Sequence, residues 1–283
     1  MKLSEFPFSC PICPVGYLLL LVGNRHLHWG WVSPQARSAA DLICWDTPHL
    51  AAPFNARNLP DSFLRDPALL DPLSSSQLPL LYASVVPEQT DWLHSYPLAQ
   101  AITLADIPLA PVYPTLGVDR ALGLWAAGQF LGWPAIVVDG GTALTLTGAD
   151  GVGKFVGGAI LPGLGLQFRS LYQHTAALPS LHLEALPDRW ARNTPDAIRS
   201  GIAYTLLAGV QAFLEDWIDH HPQTQLCFTG GDGQWLYQQL LPRLRVTLPE
   251  NQITCHPHLA LWGILGLIQL NPSLQSGESL RQR

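Results

Sequence analysis

An α/β protein built from two similar halves is what this sequence predicts, and three observations predict it. An apolar run, Tyr17–Val22, breaks at Gly23-Asn24 and resumes as the alternating stretch His26–Val32. The same arrangement returns as the strand 135–139, apolar up to Val138 and ending in Asp139, the glycine turn Gly140-Gly141-Thr142 and residues 143–147. Apolar residues at helical spacing fill 121–131 and 196–217. The identity between the two strand–turn–strand units is too slight to establish a repeat, yet the pattern implies a duplicated architecture with a cleft between its halves.

Taken in order, residues 1–16 are rich in Pro and Cys and read as a poorly ordered leader. The opening hairpin follows. Residues 51–77 carry Pro, Asp and Ser and predict a surface loop with one short helix, residues 80–86 a buried strand ending at Pro87, and residues 90–96 a helix. A first domain over 17–112 and a second over 113–283 are expected. In the second, Gly117-Val118-Asp119-Arg120 opens the helix through 131, so its residues meet the free N–H groups of a helix start. Residues 155–161 predict a third strand, Pro162-Gly163-Leu164-Gly165 a turn into a helix to 172, and residues 188–192 a loop. Residues 226–229 form a short strand ending in Gly230-Gly231-Asp232, and residues 260–269 a closing apolar helix.

Composition narrows the partners. Of 283 residues 48% are hydrophobic, enough for two cores, while charged residues are 13% and the net charge is −6. No basic field offers a surface to nucleic acid or anionic lipid. The longest apolar strand run is too short to span a bilayer, which takes about 20 residues. The five cysteines are odd in number and irregularly placed, which fits a reducing cytoplasm better than a disulfide framework. Cys10 and Cys13 have no second Cys or His pair nearby and read as a loop rather than a zinc site.

Four places are suited to chemistry. At Asp139-Gly140-Gly141-Thr142 the glycines admit a phosphate to the backbone, Thr142 offers a hydroxyl and Asp139 can hold a cation; the same residues also suit an ordinary hairpin turn. Asp119 is placed to take a proton and Arg120 to bind a carboxylate, or the two form a helix start with a surface ion pair. Gly230-Gly231-Asp232 is suited to approach a nucleoside or is a plain turn, and Gly23-Asn24-Arg25 is a second phosphate candidate. His26 and His28 alternate on the second strand without an evident third ligand, and the tryptophans read as packing residues.

These pieces stand beside further motifs in a fixed order: Ala83-Ser84-Val85-Val86-Pro87, Tyr113-Pro114-Thr115-Leu116-Gly117-Val118-Asp119-Arg120, Gly157-Gly158-Ala159-Ile160-Leu161-Pro162-Gly163, Thr175-Ala176-Ala177-Leu178-Pro179, and Asn193-Thr194-Pro195-Asp196-Ala197-Ile198-Arg199-Ser200-Gly201. Each is weak alone, but the series resembles the type III pantothenate kinases of the acetate and sugar kinase, Hsp70 and actin superfamily, from Tyr17 to about Leu270. The resemblance implies two ribonuclease-H-like domains with ATP in a cleft, and phosphorylation of pantothenate as the entry to coenzyme A. It implies Asp119 as general base and Tyr113, Gly117, Val118, Asp119, Arg120 and Thr194 as the pantothenate site. Gly23, Asn24, Arg25, Gly141 and Thr142 would meet ATP, and Asp139 would hold a monovalent cation, K⁺ or NH₄⁺. Mg²⁺ and a homodimer are implied as well.

One position departs from the pattern. Where the family has Asp-x-Gly-Asn-Thr, this chain has Leu21-Val22-Gly23-Asn24-Arg25, and no acid lies between Glu5 and Asp41. Either Mg²⁺ is held by water, Asp139 and the triphosphate, with Arg25 adding positive charge, or the chain binds its ligands with little turnover. The intact Asp119, Asp139 and substrate motifs favour the active kinase.

Overall fold

The computed structural model describes residues 16–33, 36, 41–52 and 78–271. Nearly all of the expected leader and of the 51–77 loop lies outside them. Packing divides the chain into two compact units, residues 1–131 with 258–283, and residues 132–257.

In the first unit the strands are β1 (Tyr17–Val22), β2 (His26–Val32), β3 (Ile43–Pro48), β4 (Leu80–Ser84) and β5 (Ala99–Ala101), in the order β3-β2-β1-β4-β5. In the second they are β6 (Ala135–Gly140), β7 (Ala143–Ala149), β8 (Phe155–Pro162), β9 (Gln225–Thr229) and β10 (Ile253–Cys255), in the order β10-β9-β6-β7-β8. The helices are α1 (Pro87–Leu93), α2 (Val118–Leu131), α3 (Leu164–His174), α4 (Thr194–His220), α5 (Gly233–Leu244) and α6 (Leu259–Leu270).

The two sheets are the same sheet drawn twice. β1 is antiparallel to β2 and parallel to β4, as β6 is antiparallel to β7 and parallel to β9, and β5 and β10 each extend the parallel side. The duplication expected from the glycine turns is therefore present at the level of topology: two ribonuclease-H-like domains. β1 is apolar along its length because both of its faces are covered. Leu18, Leu20 and Val22 enter a core with Trp29, Leu80 and Tyr82, while Leu19 is equally buried and α6 packs on the same strand.

The packing differs from the expected boundary at 112. α2 and α6 lie against each other within the first unit, although α2 was expected to open the second domain and α6 to close it. Two glycines on one side of α6 permit this contact. A Cβ at Gly263 would sit 2.6 Å from the Leu122 carbonyl oxygen and one at Gly266 2.7 Å from the Trp125 ring.

Elsewhere α1 begins at Pro87 rather than at 90, since proline suits a first helical turn. β3, β5, α5 and β10 were not anticipated. α4 is the longest helix, capped where Asn193 accepts a hydrogen bond from the Asp196 N–H at 2.9 Å, with Pro195 in its first turn. It is long and apolar enough to cross a membrane by length and composition, but Ile198, Ile202, Leu206, Val210, Leu214 and Ile218 are buried in the core of the second sheet, which marks a core helix. Among the tryptophans, Trp29 and Trp31 are buried as expected, whereas Trp190 is 88% exposed.

Candidate active site

In the first unit the chain reaches α2 through Tyr113 to Gly117, and the helix is entered by the Ala121 N–H donating to the Gly117 carbonyl at 3.0 Å. Asp119 falls in the first turn. Its Oδ1 accepts the Arg120 N–H at 2.8 Å, one of the donors that a helix start leaves without a partner in the helix. Gly117 leaves room for this carboxyl, since a Cβ would lie 2.4 Å from Asp119 Oδ1 unless the side chain turned aside. Arg120 is buried, and its Nη1 donates to the Tyr113 hydroxyl at 2.9 Å. Tyr113, Gly117, Val118, Asp119 and Arg120 thus form one cluster. Burial pushes the Asp119 carboxyl above its ordinary range, against the Arg120 N–H bond and the guanidinium charge. A carboxylate so placed is a better base than one in water.

The second polar feature of this unit is the β1–β2 turn. The Gly23 N–H donates to the His26 carbonyl at 3.0 Å, leaving Asn24 and Arg25 exposed at the tip, and His49 Nε2 lies 2.8 Å from the Gly23 carbonyl oxygen.

In the second unit three glycine-rich segments meet at the end of β6. The Asp232 N–H donates to the Gly140 carbonyl at 2.8 Å and the Gly163 N–H to the Thr142 carbonyl at 3.0 Å. Gly230 has φ +80°, and a Cβ there would fall 2.2 Å from Asp139 Oδ1; one on Gly163 would fall 2.2 Å from the Gly141 carbonyl oxygen. Gly230 thus approaches the Asp139 carboxylate as a residue with a side chain could not. Burial raises the Asp232 carboxyl above its ordinary range. Asp139, Gly141 and Thr142 are brought together with Gly230 and Asp232, but Thr194 is placed elsewhere. It is the exposed first residue of α4 and lines a groove of about 740 Å³ with Gln167, Leu171, Asn193, Ile198 and Thr205, in which none of Asp139–Thr142 takes part.

Two glycine-walled turns and a desolvated acid beside a buried arginine suit phosphoryl transfer to a hydroxyl. Comparison decides the family. The model of the type III pantothenate kinase family matches residues 17–216. A type III pantothenate kinase of Synechococcus sp. strain JA-3-3Ab is 43% identical over 258 residues, 90% of this chain and 93% of the relative. One of Synechococcus elongatus is 44% identical over 89% of this chain and 96% of its own length. This chain belongs to the type III pantothenate kinase family. A solved structure from Campylobacter jejuni, named for the Baf family of transcriptional activators, is 20% identical with a TM-score of 0.57 over 90% of this chain and 99% of its own, and bears out the fold alone.

Against the type III pantothenate kinase pattern, the leucine at 21 is the point to resolve. Leu21 sits opposite His28 on β2, and His28 sits opposite Asp46 on β3, where His28 Nδ1 lies 2.7 Å from Asp46 Oδ1. That hydrogen bond holds the Asp46 carboxyl below the usual carboxylate range, with help from the His28, His258 and His26 charges and against its partial burial. Sequence reasoning found His28 but missed Asp46, His49 and His258. The signal available for Asp46 was its place in the strand β3, and for His258 there was none, since its neighbours come from the other end of the chain.

Proposed function

We propose that this kinase transfers the γ-phosphoryl group of ATP to the primary hydroxyl of pantothenate, forming 4′-phosphopantothenate and ADP, the first step toward coenzyme A. The observation that carries the reading is the Asp119 cluster at the head of α2, within a chain whose family is established. Asp119 takes the hydroxyl proton as that oxygen bonds to the γ-phosphorus and the bond to the β–γ bridging oxygen breaks. Arg120, steadied by Tyr113, binds the pantothenate carboxylate. Gly117 and Val118 bring the backbone of the helix start to the same substrate, and Thr194 offers a hydroxyl to it.

Gly23, Asn24 and Arg25 meet the nucleotide phosphates with backbone N–H groups and one cation, and Gly141 and Thr142 do so from the β6–β7 turn. The Asp139 carboxylate, with Gly230 against it, would hold a monovalent cation, K⁺ or NH₄⁺, which when bound offsets phosphate charge. The family's Mg²⁺-linked carboxylate does not fit here: position 21 is leucine, and Gly23-Asn24-Arg25 carries no acid. Neither the fold nor the family match favours an inactive homologue.

A homodimer is part of the reading. Val156 and Ile160 on β8, Tyr172 on α3 and Phe213 on α4 are exposed apolar side chains of the second unit that a second copy would cover. Work in the cytoplasm agrees with Cys44, Cys227 and Cys255 being free. The test is a panel of small hydroxy acids and sugars offered with ATP. Phosphorylation of pantothenate in preference to the others is expected, and preference for another acceptor overturns the substrate assignment.

A further inference from the structure

Leu21, His28 and Asp46 stand in a row across three neighbouring strands, because β1 pairs Leu21 with His28 and β3 pairs Asp46 with His28. Directly opposed residues project from one face of a sheet, so an imidazole and a carboxylate flank the place where the family's acid is missing. His258, just ahead of α6, completes the group. Its ring centroid is 6.3 Å from that of His28, and one ligand atom from each of His28, Asp46 and His258 lies within 4.8 Å of the other two.

Three further observations point to a ligand. His258 Nδ1 is buried and has no hydrogen-bond partner among the described residues, a vacancy that native proteins rarely leave. Burial keeps the His258 imidazole below its ordinary range, with Asp46 opposing and His28 reinforcing, so its ring is neutral and able to donate a lone pair. His28 and Asp46 are partly open to solvent, which leaves coordination positions for water or phosphate. Two imidazoles and one carboxylate form a set that suits zinc-type ions better than Mg²⁺, which prefers oxygen. Bonds of about 2.0–2.2 Å call for small side-chain adjustments, with His28 Nδ1 and Asp46 Oδ1 moving apart from 2.7 Å to admit the ion between them.

We propose that His28, Asp46 and His258 bind a divalent transition-metal ion of the zinc, cobalt or manganese class beside the first glycine turn, at the place left without an acid by Leu21. The ion takes the place of the proton between His28 Nδ1 and Asp46, and that proton moves to Nε2 of the same ring. Gly23 adjoins the site, since a Cβ on it would come 3.2 Å from His28 Nε2. An ion there faces the turn that meets the nucleotide phosphates; that role rests on the proposed kinase reading, whereas the existence of the site does not.

The full chain, stripped with a chelator, would be titrated with Co²⁺ without nucleotide, following visible d–d absorption and heat. One equivalent is expected to bind. Asp46→Asn and His258→Gln should each weaken binding at least about tenfold, while His182→Ala, a change at an exposed histidine outside the cluster, should not. Melting curves of the metal-free variants check that they remain folded. No Co²⁺ binding by the native chain, or binding that survives both substitutions, overturns the site. Repeating the titration with a non-hydrolysable ATP analogue should tighten Co²⁺ binding; unchanged affinity would uphold the site and overturn the phosphate role of the Gly23 turn.

Discussion

Replacing Asp119 by Asn separates chemistry from folding. The hydrogen bond from the Arg120 N–H at 2.8 Å ends on Asp119 Oδ1, an atom that Asn retains, so the helix start should persist. What disappears is the basic oxygen. A positioned general base contributes about 10²–10⁴-fold, so turnover should fall by that factor, equivalent to about 3–5 kcal/mol of transition-state stabilisation. Stability should move the other way. Burial raises the folded-state pKa of Asp119 above its unfolded value, so its favourable contribution is complete below the unfolded pKa and is lost as pH rises through the folded one. At neutral pH the ionised group is a cost that Asn removes, and the melting temperature should be equal or higher. Initial rates of phosphopantothenate formation and a melting curve read both effects. Turnover near that of the native chain, with the fold intact, would refute the role of Asp119.

Tyr113→Phe removes the acceptor 2.9 Å from Arg120 Nη1. Hydrogen bonds to charged groups contribute about 1.5–3 kcal/mol when buried, and Tyr113 is partly exposed, so KM for pantothenate should rise up to about tenfold with kcat little changed; an unchanged KM would remove Tyr113 from the substrate site. Gly230→Ala forces a side chain onto φ +80° and into Asp139 Oδ1. The left-handed backbone alone costs about 1–2 kcal/mol, so a lower melting temperature and a weaker response of the rate to K⁺ are expected, and a K⁺ response like the native one would separate Asp139 from the cation. The pH profile of kcat/KM should fall on its acid side as Asp119 takes up a proton. Because burial raises that pKa, the limb should lie above the ordinary carboxylate range. A limb at or below that range would exclude Asp119 as the titrating base.

Much of the fold was legible because it rests on local pattern. β1, β6, β9 and α4 are apolar runs, and glycine turns at Gly23, Gly141 and Gly230 follow the three strands. The elements that escaped lack such a pattern. β3 contains Cys44, Asp46 and Thr47 and ends in Pro48, as suits an edge strand, while β5 and β10 are three residues each. α5 starts directly after a glycine turn and contains Pro242, which disguises it as loop.

Which unit owns a helix is a different kind of fact. It depends on Gly263 meeting Leu122, a contact between distant parts of the chain that periodicity does not encode. The candidate site divides along the same line. Asp119, Arg120 and Tyr113 were readable because they lie within one short motif, and Asp139 with Thr142 for the same reason. Asp46 and His258 reach His28 only through strand register and the return of the C-terminal helix to the first sheet.

The central claim is that the chain with Leu21 in place is a working pantothenate kinase. It is tested most directly by incubating the purified protein with pantothenate, ATP, Mg²⁺ and K⁺ and following phosphopantothenate by mass spectrometry, beside a Leu21→Asp variant. Product from the native chain is the predicted result. Product from Leu21→Asp alone, or from neither protein, would contradict it.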